Sequence, residues 1–339
     1  MKIAVDAMGG DHAPGAVVAG AVLAAPQVDG EIILVGRQPV IEAELAKLSQ
    51  RPSNLQIHHA EDVVEMGESP LLALRQKAGS SVTVSVDLVR DGVADAALSA
   101  GNSGAMMAAA TMRLRTLPGV QRPAIAVTLP TSIGKRIVLD AGANVECKPE
   151  HLVEFGLMGS IFCEHVLGVV NPRVGLLSIG TERSKGNDLT QAAFPLMEQA
   201  PLNFVGNIEG EQIVDGAVDV TVCDGFVGNV VLKVCEGVGS GFMYDLKNAI
   251  KGSVWGKIGA FFLARALREM AAKYDYAEYG GALLLGVNGV CIISHGKSDA
   301  RAIAKAIMVS ATAVKNDVQT HMAQSFEQYA TKQTIAASQ

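Results

Sequence analysis

The chain alternates short, nearly unbroken apolar runs with longer alanine-rich segments whose apolar positions recur every three or four residues. The runs at 2–7, 31–36, 54–58, 94–99, 124–129, 136–140, 173–180, 204–209, 218–223 and 289–294 predict strands. Many of them are apolar throughout rather than alternating, the pattern of strands covered on both faces of a parallel sheet. Segments 15–25, 38–49, 103–114, 149–167, 189–200, 227–250 and 299–328 predict the helices between them. This succession implies an α/β fold, a wound, mostly parallel sheet with helices on both faces. No polar linker interrupts it. Residues 1–330 are therefore expected to form a single α/β catalytic domain with room for two lobes, and 331–339 a flexible tail.

Glycine punctuates this pattern. The 36 glycines gather after predicted strands: Met8-Gly9-Gly10-Asp11, Ser99-Ala100-Gly101-Asn102-Ser103-Gly104, Asp140-Ala141-Gly142-Ala143-Asn144, Gly180-Thr181-Glu182, Asp224-Gly225-Phe226-Val227-Gly228-Asn229 and Asn288-Gly289. Open α/β sheets bind ligands outside the carboxyl ends of their strands, and glycine there lets backbone approach a ligand.

Composition narrows the class. Of 339 residues, 49% are apolar and only 18% charged, which implies apolar surface hidden against a partner. No apolar run approaches the roughly 18 residues of a membrane-spanning helix. Asp6 and Asp11 leave no signal-peptide core near the start. A net charge of −6 argues against a nucleic-acid partner. The five cysteines are widely spaced and form no C-x-x-C, so the expectation is reduced thiols in the cytoplasm, with no disulfide and no metal.

Candidate chemistry lies in the loops. Gly101, Asn102, Ser103 and Gly104 open a helix whose free amides can hold a phosphate, although Ser103 can also serve simply as a cap. Lys185 follows a buried strand beside Gly186 and can offer a point charge to phosphate, or pair with Glu182 or Asp188. Asn229 falls in a first helical turn, where its amide can donate to an oxyanion, and Asp224 suits the cap of the same helix. His12 and His295 each sit in a glycine-rich turn and can shuttle a proton. The other histidines carry no assigned chemistry. P-loop, dinucleotide and nucleophile-elbow spacings are not met.

Segment 253–273 differs in kind. Trp255, Ile258, Phe262, Ala266 and Met270 make an apolar stripe, and Lys257, Arg265, Arg268 and Lys273 supply positive charge. Such a helix can lie on an anionic membrane or dock an acidic partner; packing in the core or in a dimer interface explains the stripe equally well.

Taken jointly, Asp6-Ala7-Met8-Gly9-Gly10-Asp11-His12-Ala13-Pro14, the 99–105 loop, Ile179-Gly180-Thr181-Glu182 with Lys185-Gly186-Asn187, the 224–229 loop, and Gly286-Val287-Asn288-Gly289 with Ser294-His295-Gly296 resemble the bacterial phosphate acyltransferases of phospholipid synthesis over residues 1–330. Ser103 stands where many relatives carry Thr, which keeps the hydroxyl. The resemblance implies a fold like the phosphotransacetylases and the isocitrate/isopropylmalate dehydrogenases. It implies transfer of an acyl group from acyl carrier protein to orthophosphate, without a cofactor. It further implies a homodimer in the cytoplasm, peripherally associated with the inner face of the membrane, that feeds a membrane glycerol-3-phosphate acyltransferase.

Within that reaction, Gly101–Gly104, Ser103 and Lys185 are expected to hold phosphate. Asn229, with Asn102, faces the carbonyl oxygen, and His12 or His295 manages a proton. Asp224, Gly225 and Asn288 complete the substrate loops, and Trp255, Lys257, Phe262, Arg265 and Arg268 dock membrane or carrier. Two alternatives stand beside this reading: an acetyl- or acyl-coenzyme A phosphate acyltransferase, and a peripheral membrane scaffold without catalysis.

Overall fold

A computed structural model describes residues 1–131, 133–273 and 280–337. Eleven strands form one sheet. In chain order they are β1 (Lys2–Asp6), β2 (Glu31–Gly36), β3 (Leu55–His59), β4 (Ala96–Ser99), β5 (Ala124–Thr131), β6 (Gly134–Leu139), β7 (Arg173–Leu177), β8 (Asn203–Ile208), β9 (Val220–Val222), β10 (Ala282–Leu285) and β11 (Val290–Ile293). The helices are α1 (Gly15–Ala24), α2 (Gln38–Ala46), α3 (Pro70–Gln76), α4 (Ser81–Arg90), α5 (Ser103–Leu114), α6 (Pro149–Leu167), α7 (Asp188–Gln199), α8 (Glu211–Asp215), α9 (Gly225–Lys251), α10 (Val254–Phe262), α11 (Ala264–Lys273), α12 (Ala300–Lys315) and α13 (Val318–Ala337).

The strand order is β3-β2-β1-β4-β11-β10-β5-β6-β9-β7-β8. From β3 to β11 every pairing is parallel. β10 then runs antiparallel to both β11 and β5, and β6 runs antiparallel to β5. β9, β7 and β8 follow β6 in parallel. The chain thus builds two parallel blocks of opposite direction within one sheet. The carboxyl ends of β1, β4 and β11 lie at one edge, where Ser99 pairs with Asp6 and with Ile293. Those of β6 and β9 lie at the other, because Val138 pairs with Val127 near the start of β5 and Leu139 with Val222.

Both faces are covered, as the uninterrupted apolar runs require. On β1, Ile3 and Val5 share a core with Val17 and Val18 of α1 and Ile303 and Ile307 of α12, whereas Ala4 faces Leu88 of α4. In the second block, Ile137 and Leu139 pack with Leu152 and Phe155 of α6, and Val138 packs with Val227 and Val231 of α9. No described helix is long and apolar enough to cross a membrane.

Three predicted elements differ. The helix expected over 299–328 breaks after Lys315, where Asp317 takes φ 47° and turns the chain into α13. Asp tolerates this left-handed conformation better than most residues. Segment 253–273 divides at Leu263 into α10 and α11. Its stripe is not core: Trp255 is 80% exposed, and Phe261 and Phe262 are 79% exposed. Helix α13 continues into the segment read as a tail, as far as Ala337.

Candidate active site

The first edge is organised by Asp6. This buried carboxylate accepts hydrogen bonds from Ser99 Oγ (2.7 Å) and Met8 N (3.1 Å). Ser99 Oγ accepts in turn from Gly101 N (3.0 Å). Burial raises the Asp6 pKa, opposed by hydrogen bonds from Ser81, Ser99, Met8 and Gly9. The two loops are drawn so close that a Cβ on Gly9 would lie 2.8 Å from Gly101 N. A third loop joins them: Asp11 N donates to Gly296 O, and Ser294 N to Ser99 O, both at 2.8 Å. His12, His295 and residues 101–104 therefore gather at the ends of β1, β4 and β11, with both imidazoles exposed. His295 Nδ1 accepts from Lys297 N.

Asn102 is more heavily engaged than its spacing suggests. Its Oδ1 accepts from Ala105 N and caps α5. Its amide nitrogen points to the carbonyls of Glu65, Met66 and Glu68 at 3.3, 3.1 and 3.0 Å. The side chain thus clamps the segment before α3 over the start of α5, with its donors already used. Ser103 stays exposed at the first position of α5.

The second edge repeats this plan around another buried acid, Asp140, the residue after β6. Oδ1 accepts from Ile125 N (2.9 Å), Gly142 N (3.2 Å) and Ala143 N (3.0 Å). Oδ2 accepts from Asn144 N (2.6 Å) and Asn144 Nδ2 (2.9 Å). Burial raises the Asp140 pKa, and these bonds oppose the shift. The loop so formed carries the start of α9. Gly225 N donates to Asn144 O (2.7 Å), and Gly228 lies against the Asp140 backbone. Asp224 Oδ1 accepts from Val227 N, the cap its position suggested. Asn229 emerges exposed beside Gly142.

Lys185 follows β7, the neighbour of β9, and so belongs to this second edge. Its stem lies beside Gly180, and it forms no ion pair with Glu182 or Asp188. Asn288 sits in the β10–β11 turn, where its N donates to Arg115 O (2.9 Å). The loops therefore do not share one straight rim. Gly101, Asn102, Ser103, Gly104, His12 and His295 occupy the first edge; Lys185, Asp224, Gly225, Asn229 and Asn288 occupy the second. The antiparallel β5–β6 pairing causes the division. Trp255, Lys257, Phe262, Arg265 and Arg268 lie elsewhere, on the exposed α10 and α11, with Arg265 paired to Glu269 at 2.9 Å.

Several organising residues carry no motif. Glu154 of α6 accepts from Gln121 N and Gln121 Nε2, each at 2.9 Å. His151 is buried, and its Nδ1 accepts from Lys148 N. Burial lowers its pKa, and the positive charges of Arg122 and Lys148 lower it further. Only the likeness of Asp140-Ala141-Gly142-Ala143-Asn144 to Asp6-Ala7-Met8-Gly9-Gly10-Asp11 in the sequence hints at the shared plan.

Two acid-organised loop clusters on one wound sheet define an α/β enzyme fold that is also found in phosphotransacetylases. The chain superposes on a phosphotransacetylase from Streptococcus pyogenes with a TM-score of 0.64 at 18% identity, covering 93% of this chain and 94% of that one. The EutD phosphotransacetylase from Staphylococcus aureus gives 0.61, also at 18% identity and the same coverage. A family profile described as "Fatty acid synthesis protein" matches residues 1–321. A phosphate acyltransferase from Desulfitobacterium hafniense (strain DSM 10664 / DCB-2) is 51% identical over 317 residues, 93% of this chain and 95% of that one. One from Moorella thermoacetica is 50% identical over 321 residues, 94% of each chain. The chain belongs to this phosphate acyltransferase family and is an acyl-transferring enzyme of that type.

Proposed function

We propose that the enzyme transfers a long-chain acyl group from acyl carrier protein to orthophosphate, giving acyl phosphate and free carrier thiol. An oxygen of HPO4²⁻ attacks the thioester carbonyl, the C–S bond breaks, and the proton of the phosphate ends on the departing sulfur. Orthophosphate is already an anionic nucleophile and a thiolate a fair leaving group, so positioning and oxyanion stabilisation are the main tasks.

The observation that carries this reading is the pair of loop clusters built on Asp6 and Asp140. Strands twist by about 20–25° each, so the five steps from β4 to β9 rotate the second block by roughly 100–125°. Starting antiparallel, its carboxyl ends would swing to within about 55–80° of the first block's direction. We take the two edges to flank one cleft. On this reading the amides of 101–104, Ser103 and Lys185 hold phosphate, and Asn229 donates to the carbonyl oxygen. His12 or His295 passes the proton. Asn102 positions α5 rather than touching substrate.

The acyl phosphate goes on to a glycerol-3-phosphate acyltransferase in the membrane. The protein acts as a cytoplasmic homodimer at the inner membrane surface, with α10 and α11 as its contact. The exposed Trp255 and Phe262 and the cations Lys257, Arg265 and Arg268 support that role.

The test is direct. Purified protein is given orthophosphate and a long-chain acyl carrier thioester, without metal or nucleotide, and the product is trapped with hydroxylamine. Acyl hydroxamate formed from the carrier thioester in clear preference to acyl-coenzyme A supports the proposal. Equal or better use of acyl-coenzyme A overturns the carrier assignment, and no product from either overturns the reaction.

A further inference from the structure

We infer that Arg122 is an orthophosphate-binding residue of the second edge, carried on a backbone turn that is locked on both sides. The inference rests on the phosphate acyl-transfer reading and adds a residue that neither the loop motifs nor the glycine pattern indicates.

The turn before β5 is held almost residue by residue. Gln121 N donates to Glu154 Oε2, and Arg122 N also donates to the Glu154 carboxylate. Pro123 O accepts from Asn144 Nδ2 (2.7 Å), and Ile125 N donates to Asp140 Oδ1 (2.9 Å). Asn144 and Asp140 are the same groups that fix the start of α9 and hence Asn229. Arg122 is therefore mounted on the frame that positions Asn229, not on an independent surface loop.

Its side chain is exposed, yet it forms no ion pair or hydrogen bond among the described residues. Lys148, whose charge also acts on buried His151, is likewise exposed and unpaired among the described residues. Glu146 and Glu150 flank Lys148 in sequence, and neither pairs with either cation. Two acids of the same frame are already engaged: Asp140 with the loop amides, and Asp224 with the first turn of α9. The Arg122 charge reaches this loop, because it acts on both the Cys147 thiol and the His151 ring. His151 Nδ1 accepts from Lys148 N, so the neutral ring carries its proton on Nε2.

A guanidinium on rigid backbone, with no internal carboxylate to satisfy it, suits a tetrahedral oxyanion. Its planar donor fork binds two oxygens of a phosphate at once, and it keeps its charge throughout the working pH range. A surface arginine whose role was solubility alone would need no such mounting.

The experiment compares wild type with Arg122→Ala and Arg122→Lys in two measurements. The first is steady-state hydroxamate trapping with whichever acyl thioester the wild type accepts, varying phosphate and thioester separately. Loss of a charge-assisted contact predicts a phosphate KM raised about 10- to 150-fold in Arg122→Ala. The kcat and the thioester KM should stay within about threefold, and Arg122→Lys should fall between. The second is the rise in melting temperature on adding inorganic phosphate, which needs no turnover. Wild type should be stabilised by phosphate and Arg122→Ala should not, at equal melting temperature without it. An unchanged phosphate KM overturns the assignment, as does a rise confined to the thioester KM. Phosphate protection kept in Arg122→Ala, or absent from wild type, also overturns it. A wild type that binds phosphate but turns over no thioester would count against the catalytic reading and leave the melting comparison to decide Arg122.

Discussion

Gly228 lies so close beneath Asp140 that a side-chain carbon on it would overlap the Asp140 carbonyl oxygen. Cys223 Sγ closes the same space at 3.1 Å. Helix α9 can begin where it does only because this position carries nothing. Gly228→Ala is therefore expected to push the first turn of α9, with Asn229, away from the 140–144 loop. A displacement of about 1 Å at a reacting centre costs on the order of 10²-fold in rate. Circular dichroism should change little while hydroxamate formation falls by about that factor.

Asn229 and Lys185 are separable by kinetics. Asn229→Ala should lower kcat by about 10²-fold or more if the amide meets the developing oxyanion. Lys185→Ala should raise the phosphate requirement, or abolish turnover, in a protein that still folds. A change in KM alone for Asn229→Ala would recast it as a positioning group. Unchanged phosphate kinetics in Lys185→Ala would remove that residue from the site.

The second block has an electrostatic anchor in Asp219. Its carboxylate accepts from Arg173 N (2.8 Å) and Arg173 Nε (3.0 Å), with Arg136 Nε at 3.2 Å. Burial pushes its pKa up, but the bonds to Arg173 and the charges of Arg173 and Arg136 outweigh this and leave it lowered. The folded state thus prefers the carboxylate more than the unfolded chain does. That stability is present above the ordinary value of 3.8 and is lost as pH falls through the lower, native value. Asp219→Asn should cost roughly 2–4 kcal/mol at neutral pH, between exposed and buried pairs. Urea unfolding at pH 7 and pH 3 should show the deficit shrinking in acid.

Cys147 offers a chemical reading of the same loop. Burial, then the charges of Asp140 and Asp224, push its thiol up to about 11. It should stay protonated at pH 8 and alkylate far more slowly than an ordinary thiol, despite being only half-buried. Peptide mapping after iodoacetamide should show its modification accelerating only as pH approaches that value.

The exposed cations of α11 distinguish two uses of the arm. With Arg265 and Arg268 both changed to Glu, lost binding to anionic liposomes with normal turnover in solution would mark a membrane contact. The opposite pattern would mark carrier docking.

Much of the scaffold was legible. The apolar runs of β1, β2 and β4 announced buried parallel strands. The expected spans 103–114 and 149–167 match α5 and α6, although the cap of α5 is Asn102 and not Ser103, and α6 starts at Lys148-Pro149. Helix α4 was not legible: Ser-Val-Thr-Val-Ser-Val alternates like a strand, and packing against α5 and the sheet overrides that propensity. Strand β10 is only Ala282–Leu285, too short to stand out. At the site, glycine clusters located the loops, but their division between two edges depends on the β5–β6 pairing, a non-local event. The work of Asp140 and Glu154 was hidden for a related reason. One carboxylate collecting distant amides leaves no spacing to read.

Helix α9 carries Asn229 near its start and hands the chain to the arm of α10 and α11 at its far end, some 33 Å from Asn229 at about 1.5 Å per residue. Along that length only Gly225 and Gly228 are fully buried, both near its start. Val227, Val231, Leu232 and Cys235 lie half-buried against the core of the second block, and the rest of the helix extends beyond them. The arm is thus tied to the core through the first three turns of α9, the stretch that also carries Asn229.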